Sequence, residues 1–447
     1  MRTRLLALTL ALATTTAACA GGSAAPPAPE PPRTAPAEPS ATAPIASVTP
    51  PDPAAANGHG NGTPDAGAEQ AVDLTADVKA ANTFTSKLYV RVKKTPGNLM
   101  LSGTSVRHAL EIVYLGARTD TARELATGLE LPSDPAKVGP LAKAEDASWQ
   151  EARGKAELVV ANRLWADQAF PLKSEFTTAA DAAFGAAAAS VDFQHAADAA
   201  RRTINGWVAE KTAQKIPDLL AEGSLDKRTR VVVTNAIFFK GKWAVPFATA
   251  ATKDEPFKAA RTANVPTMHA TSSNRFAHVG NVKVLELRYE GSQLGMLVVL
   301  PDDAAGLGKV EDALSADLFE SWTKAIAMQR VAIALPKFGF KWGSALAAPL
   351  QDLGIKSAFS ATADLSGIAD AAGADHLHVS QVMHKTWVAV DEQGTEAAAS
   401  TGAVMGTTSL PMGPIADFKA DHPFLFFVYD SRNGRILFAG RVSDPKP

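Results

Sequence analysis

Few residues in this chain have the types and spacing that catalysis or metal binding requires. The sequence contains no GxSxG nucleophile elbow, no P-loop, no HExxH zinc motif and no CxxC pair. His376 and His378 would place two imidazoles on one face of a strand, but such a pair is by itself weak evidence for a metal site. We therefore predict no catalytic residue, no metal and no cofactor.

One segment is unusual for a different reason. Residues 391–401 read DEQGTEAAAST, follow directly on a predicted strand and contain no large apolar side chain. An ordinary connecting loop would carry proline or asparagine to define its turns, and no proline occurs here until Pro411. Turn formation does not explain this composition, so we take the segment as the strongest functional candidate in the sequence.

Composition and charge exclude several classes of protein. The 447 residues include 44 Lys and Arg against 46 Asp and Glu, a net charge of -2, so no basic surface predicts nucleic-acid binding. The chain has a single cysteine, Cys19, which rules out a disulfide within the chain. With 46% hydrophobic residues it can bury a large core, and we expect a monomer held by packing and hydrogen bonds.

Residues 1–18 are typical of an export signal, because Arg2 and Arg4 precede a short apolar stretch. Residues 16–19 (TAAC) resemble a bacterial lipobox, in which the signal is cut before the cysteine and the cysteine receives lipid; Thr16 stands where leucine is usual. The resemblance implies lipidation of Cys19 and a membrane anchor at the bacterial cell envelope. The alternative is a plain secretory signal with an incidental cysteine and a secreted protein.

Residues 19–71 are predicted to form a disordered tether, since they are rich in Pro, Ala, Gly, Ser and Thr and contain recurrent Pro-Pro pairs. A flexible coil of about 50 residues spans roughly 40 Å. If Cys19 is lipidated, Ala20 directly after it favours the outer membrane by analogy with lipoprotein sorting. The tether would then hold the rest of the chain at a distance from that membrane.

Residues 72–447 are predicted to form one globular domain. Hydrophobic periodicity predicts helices over residues 77–92, 105–129 (two helices and a turn) and 200–211. Strands are predicted over residues 157–164, 230–239, 283–300 (two strands), 330–338 and 386–390, with a C-terminal hairpin over 424–429 and 436–442. Helices dominate early and strands late, which favours an α+β domain with large mixed sheets.

Residues 394–401 (GTEAAAST) resemble the proximal hinge of the reactive-centre loop of inhibitory serpins. Further blocks fit that family in order: residues 98–110 (with Gly103 where proline is usual), 115–121, 234–243, 364–367, 384–385 and 422–424. The resemblance covers nearly the whole predicted domain. It implies the serpin fold, with three mixed or antiparallel β-sheets, about eight to nine helices and an exposed reactive-centre loop at about residues 392–417.

The resemblance also implies an inhibitor of serine proteases and no enzymatic activity. In such inhibitors a protease cuts the loop, the loop enters the main sheet as a new strand, and the acyl-enzyme is trapped. The hinge residues are then Glu392, Gly394, Thr395, Glu396, Ala397, Ala398, Ala399, Ser400 and Thr401. Because side chains alternate along a strand, the residues of one set, Thr395 to Thr407 in steps of two, would face the core, and none is charged.

Counting forward from Gly394 by the family's spacing gives Thr408–Ser409 as the reactive bond. Counting back from the 422–424 block points later in the chain, so Met405, Thr407, Leu410 and Met412 stay open as alternatives. A small β-branched residue such as Thr408 suits a protease with a small or aliphatic specificity pocket. We therefore expect an elastase-like or subtilisin-like serine protease as partner, and poor inhibition of trypsin-like enzymes.

The resemblance assigns four polar residues, the gate cluster, to a network beneath the strands that must separate: Ser102, Ser105, Asn235 and His384. It assigns Trp243 to the top of the main sheet, where the hinge enters. Three rival interpretations remain open. They are a non-inhibitory serpin acting as a binding or chaperone-like envelope lipoprotein, a hydrolase using Ser105 and His384, and a lipoprotein adhesin.

Overall fold

The computed structural model describes residues 72–185, 188–370, 375–395 and 414–445, all within the compact unit Ala68–Pro447. These residues form nine α-helices: α1 Thr75–Val92, α2 Gly103–Gly116, α3 Thr119–Gly128, α4 Val138–Arg153, α5 Ser174–Phe184, α6 Phe193–Lys211, α7 Leu307–Asp312, α8 Ala316–Ala325 and α9 Ala347–Gln351. They also form fifteen strands: β1 Leu99–Leu101, β2 Glu157–Asp167, β3 Ala188–Val191, β4 Val231–Lys242, β5 Lys253–Lys258, β6 Thr262–Val279, β7 Val282–Arg288, β8 Leu294–Pro301, β9 Ala327–Pro336, β10 Phe338–Ala345, β11 Val379–Val390, β12 Gly394–Thr395, β13 Ala416–Lys419, β14 Phe424–Asp430 and β15 Ile436–Val442.

A six-stranded mixed sheet, which we call the main sheet, has the order β10–β11–β12–β4–β2–β3. Its central strand β4 is buried on both faces, as its run of β-branched and aromatic residues predicts. Val231 and Val233 face the core that contains the α2 side chains, whereas Val232 and Ala236 face the core beneath α6. The two-residue period of the strand therefore presents a different face to each helix.

The remaining strands form a nine-stranded sheet with the order β1–β15–β14–β8–β7–β6–β9–β13, and β5 pairs with β6. The long strand β6 joins two parts of this sheet, because its residues 262–276 pair with β5 and β9 and its residues 275–279 pair with β7. Counted separately, these two parts and the main sheet are the three sheets expected for the fold. The α+β architecture and the number of helices agree with the sequence prediction.

Most predicted elements are present, and one was divided wrongly. Residues 330–338 were predicted as one strand, but β9 ends at Pro336 and β10 begins at Phe338. The chain passes there from the nine-stranded sheet to the main sheet, and Pro336 has no N–H to continue the ladder. A turn at Phe193, in which the Asp192 side chain accepts a hydrogen bond from the His195 N–H, precedes a kink at Ala196, and α6 continues beyond the kink through the predicted residues 200–211.

No helix in the described parts of the chain is long and apolar enough to cross a membrane.

Candidate functional site

The beginning of the predicted reactive-centre loop lies inside the main sheet. Strand β12 consists of Gly394 and Thr395 and is inserted between β11 and β4: Thr395 pairs with Val390 on one side and with Gly241 on the other. Further down the sheet, β11 and β4 pair directly with each other in parallel. The hinge thus occupies the top of a position that a longer inserted strand would extend if β11 and β4 separated.

The backbone of Gly394 lies against β4 too closely for any other residue. A Cβ atom at this position would stand 2.1 Å from the carbonyl oxygen of Gly241 and 2.8 Å from the Cα of Lys242. The preceding turn is held by Asp391, whose Oδ1 accepts hydrogen bonds from the N–H groups of Gln393 (2.8 Å) and Gly394 (3.2 Å). Glycine is required here for close packing of two backbones.

Thr395 is 1% exposed and rests on an aromatic platform. Its Oγ1 lies 2.8 Å from the hydroxyl of Tyr289, and the Tyr289 ring stacks on Trp243 at 4.8 Å between centroids. The indole Nε1 of Trp243 donates to the carbonyl of Asp391 at 3.0 Å. Burial raises the pKa of Tyr289, so its hydroxyl stays neutral and able to donate. The structure places the predicted Trp243 beside the hinge and adds Tyr289, for which the sequence carried no signal.

Glu392 anchors the chain before the hinge. Its carboxylate forms an ion pair with Lys337 at 2.9 Å and accepts a hydrogen bond from the Thr252 hydroxyl at 2.7 Å. Burial acts to raise the pKa of Glu392, but these two partners outweigh it and hold the pKa below its ordinary value. The Glu392 carbonyl also accepts the N–H of Phe247 at 2.8 Å. The hinge therefore starts from a fixed point.

The structure brings the four gate residues together where the first turn of α2 meets the main sheet. The N–H of Ser102 donates to Nε2 of His384 at 3.1 Å, and the Ser102 hydroxyl caps α2 by accepting from the Ser105 N–H. The amide of Asn235 donates to the Ser105 hydroxyl at 2.6 Å. Asn162, which the sequence analysis missed, accepts from Asn235 and donates to the Ser105 carbonyl.

Two atoms of the gate cluster are buried without a hydrogen-bond partner among the described residues: Nδ1 of His384 and Oδ1 of Asn235. Because Nε2 of His384 accepts from Ser102, we assign the ring proton to Nδ1, which faces the backbone of Asn235 without a well-aligned hydrogen bond. Asn235 and His384 face each other in register on β4 and β11. Each unpaired buried group costs about 1–3 kcal/mol. The side chains of Asn235 and His384 therefore add little to the joining of β4 and β11 at this position.

Burial lowers the pKa of His384 to about 3. The imidazole is therefore neutral at ordinary pH, and it takes part in the gate cluster by hydrogen bonding and not as a cation. With Ser105 bound to Asn235 and capped into α2, neither residue is presented to solvent as a nucleophile or base.

The sequence matches the family described as Serpin (serine protease inhibitor) over residues 79–445. The chain belongs to the serpin family. It is 39% identical to the leukocyte elastase inhibitor of Bos taurus over 381 residues, which are 82% of this chain and 99% of that protein. Its fold resembles Serpin48 of the insect Tenebrio molitor, with a TM-score of 0.73 and 33% identity over 83% of this chain and 98% of that chain. Human thyroxine-binding globulin, solved in complex with its ligand, has a TM-score of 0.74 and 26% identity over 84% of this chain and 100% of its own.

Several predicted sites of this serpin lie outside the described residues. They are Cys19 in the N-terminal region, the hinge residues Glu396, Ala397, Ala398, Ala399, Ser400 and Thr401, and the reactive bond Thr408–Ser409. Of the predicted hinge, Glu392, Gly394 and Thr395 are described.

The residues that could hold a metal in this serpin do not form an open site. In the part of the chain that the structure describes, one group brings three donors within 4.8 Å of one another: His108, Glu111 and Glu145. The guanidinium of Arg107 lies 3.2 Å from both carboxylates, and Arg435 also pairs with Glu145. Two guanidinium groups therefore already occupy the space around these carboxylates. His378, from the histidine pair noted in the sequence, has its Nδ1 3.2 Å from the carbonyl of His376.

Proposed function

We propose that this serpin is a suicide-substrate inhibitor of serine proteases. The protease serine attacks the carbonyl carbon of Thr408, the Thr408–Ser409 peptide bond breaks, and Ser409 leaves as a new amino terminus after taking the proton from the protease histidine. The protease is left as an ester on Thr408. The freed stem then enters the main sheet between β11 and β4 and carries the bound protease with it before water hydrolyses the ester.

The observation that carries this proposal is the position of β12. Gly394 and Thr395 are paired with both neighbouring strands, so the start of the stem lies where further residues would follow it. Thr395 is buried. In the inserted strand, alternation would direct Ala397, Ala399, Thr401 and later odd-numbered residues to the same face, where small uncharged side chains would fit. About a dozen new backbone hydrogen bonds at roughly 1 kcal/mol net each would stabilise the inserted form by on the order of 10 kcal/mol.

The proposed target is an elastase-like or subtilisin-like serine protease. The relative from Bos taurus is named for leukocyte elastase, and a threonine before the reactive bond suits a small pocket.

Incubation with neutrophil elastase and with subtilisin should give an SDS-resistant complex and release a peptide whose N-terminal sequence begins at Ser409. Cleavage of the inhibitor without formation of any complex would contradict trapping of the acyl-enzyme.

The reactive bond can be tested by changing its specificity residue. Thr408→Arg should shift inhibition from elastase to trypsin, because trypsin requires a cation before the cut bond. The matched control is Thr407→Arg. This variant has the cation one residue earlier, so trypsin should not cleave after residue 408. Second-order rate constants for both enzymes measure the change. Unchanged inhibition of elastase by Thr408→Arg would mean that one of the alternatives, Met405, Thr407, Leu410 or Met412, precedes the cut.

A binding role is the alternative function. The similarity to thyroxine-binding globulin, a protein named for its ligand, shows that the same fold occurs in a binding protein. In this alternative the chain is a non-inhibitory, chaperone-like or ligand-binding envelope protein, and the stem has no need to enter the sheet. The stem contains no proline before Pro411, and its inward-facing positions Thr395, Ala397, Ala399 and Thr401 are small and uncharged, which favours inhibition.

We further propose that the inhibitor is displayed at a bacterial cell envelope by lipid on Cys19, with the outer membrane favoured, and that residues 19–71 tether it there. The only cysteine of the chain stands directly after a stretch of small residues that follows an apolar signal. Expression in a bacterial host should give a membrane-bound, acylated protein detected by mass spectrometry. Cys19→Ser should release it from the membrane fraction. Equal fractionation of both forms would leave a plain secretory signal as the interpretation.

A further inference from the structure

Six charged side chains meet in the protein interior, outside the hinge and the gate cluster. This ionic cluster consists of Asp77 on α1; Arg107, His108 and Glu111 on α2; Glu145 on α4; and Arg435 just before β15. Each is at most 8% exposed, and Glu111 is fully buried. The cluster therefore joins three helices and the turn between β14 and β15 through charges that have lost most of their hydration.

The two arginines bridge the acidic residues. Arg107 lies 2.6 Å from Asp77 and 3.2 Å from Glu145, and Arg435 pairs with the same two carboxylates, at 2.7 Å from Asp77. Glu111 is the exception. Arg107 stands 3.2 Å away, yet neither oxygen of Glu111 accepts a hydrogen bond among the described residues. One buried carboxylate is thus incompletely compensated by the arginines.

His108 faces this carboxylate. Its Nδ1 lies 3.4 Å from Oε2 of Glu111 and 3.4 Å from Oε2 of Glu145. Its ring is flanked by Trp149 of α4 at 5.1 Å and Phe184 of α5 at 4.9 Å between centroids. Two carboxylates at one nitrogen favour the protonated form, whereas the burial to which these rings contribute opposes it.

The charge balance of the ionic cluster also favours a protonated His108. Two arginines and three carboxylates leave a net charge of -1 in the interior if His108 is neutral, and no net charge if it is protonated. An uncompensated buried charge is strongly unfavourable. We propose that His108 is held as an imidazolium that completes the ionic cluster, and that its deprotonation in alkaline solution loosens α2 from α1, α4 and the β14–β15 turn.

His108 lies close to the gate cluster along α2. It follows Ser105, the gate residue in the first turn of that helix, by three residues. Burial lowers the pKa of His108, but the nearby carboxylates of Glu111 and Glu145 outweigh burial and raise it from 6.5 to about 9. A pKa that is raised in the folded state contributes stability that is complete below pH 6.5. That stability is lost as the pH rises through about 9. This inference does not depend on protease inhibition.

The test is a titration of the purified full chain labelled with carbon-13 histidine, followed by NMR from pH 6 to 10. His108→Gln identifies the His108 signal among the nine histidines. We expect that signal to titrate near pH 9. Thermal unfolding should show wild-type stability falling between pH 7.5 and 9.5, with the unfolding equilibrium constant rising by roughly twentyfold.

Two variants provide matched controls. His108→Gln should be less stable than wild type at pH 7.5 and should show no further loss on going to pH 9.5. The double variant His108→Gln/Glu111→Gln restores zero net charge without a titrating group, so it should regain stability and be insensitive to pH in this range. A His108 midpoint below pH 7, or an alkaline loss in His108→Gln equal to that of wild type, would overturn the proposal.

Discussion

At the residue scale, Gly394 and Thr395 of the hinge are packed so closely that they leave no space for larger side chains. Gly394 touches the backbone of β4, and the side chain of Thr395 ends on the hydroxyl of Tyr289. Small size at these positions serves packing in the structure that is described and also the proposed entry of the residues that follow. A large or charged side chain at Thr395 should therefore displace the hinge from the sheet and hinder the proposed insertion.

Thr395→Arg should convert the inhibitor into a substrate. The guanidinium would have to be buried against Tyr289 and Trp243 without a counter-charge, so the stem would enter the sheet too slowly to trap the acyl-enzyme. The number of inhibitor molecules consumed per protease should rise from near one to many, measured by titration with elastase. Ser400→Arg is the matched control: its side chain would face solvent in the inserted strand, so trapping should continue.

At the element scale, the important unit is the parallel pair β11 and β4. Along most of its length this pair is an ordinary buried ladder, but at Asn235 and His384 it holds an acceptor and a donor without partners. An inserted strand would separate the two residues and allow each to find a new partner. The unsatisfied pair thus weakens the contact between the strands while the rest of the core stays closely packed.

The gate cluster should make the native state sensitive to acid. The pKa of His384 is lowered from 6.5 to about 3 by burial, so its contribution to stability is complete above pH 6.5 and is lost as the pH falls towards 3. Between pH 6.5 and 5 the loss should be about 2 kcal/mol. His384→Asn, which does not titrate, should lack this component when urea unfolding is compared at the two pH values. An equal acid loss in both proteins would show that other groups cause it.

At the scale of the whole molecule, the described part of the third strand in the main sheet is Gly394–Thr395, and below it β11 and β4 pair directly with each other. The proposed function requires this arrangement to persist because of a kinetic barrier, although a longer third strand would be more stable. The energy that would distort the protease is then stored in the inhibitor before the protease arrives.

Cleavage in the loop should therefore raise thermal stability. With on the order of 10 kcal/mol gained on insertion, the melting temperature of the cleaved form should exceed that of the intact form by about 20 °C. Calorimetry before and after limited proteolysis measures this difference. Cleaved Thr395→Arg should not show the increase. Equal melting of intact and cleaved wild-type protein would remove the insertion mechanism.

The sequence by itself determined the class of the fold, most of the elements and the identity of the family. Local periodicity is enough to define strands such as β4 and helices such as α1, because each pattern depends on which face is buried. The hinge was recognisable from composition, and the gate residues from their order along the chain. Those features are recorded in short stretches of sequence.

Only the tertiary structure decided which distant residues became partners. Tyr289 under the hinge, Lys337 beside Glu392 and Asn162 in the gate cluster carried no local signal, because each acts through a contact with a residue far away in the chain. The ionic cluster around His108 is the extreme case, since Asp77 and Arg435 are 358 residues apart. Charge balance in the interior depends on all of its members at once, and no short segment contains them.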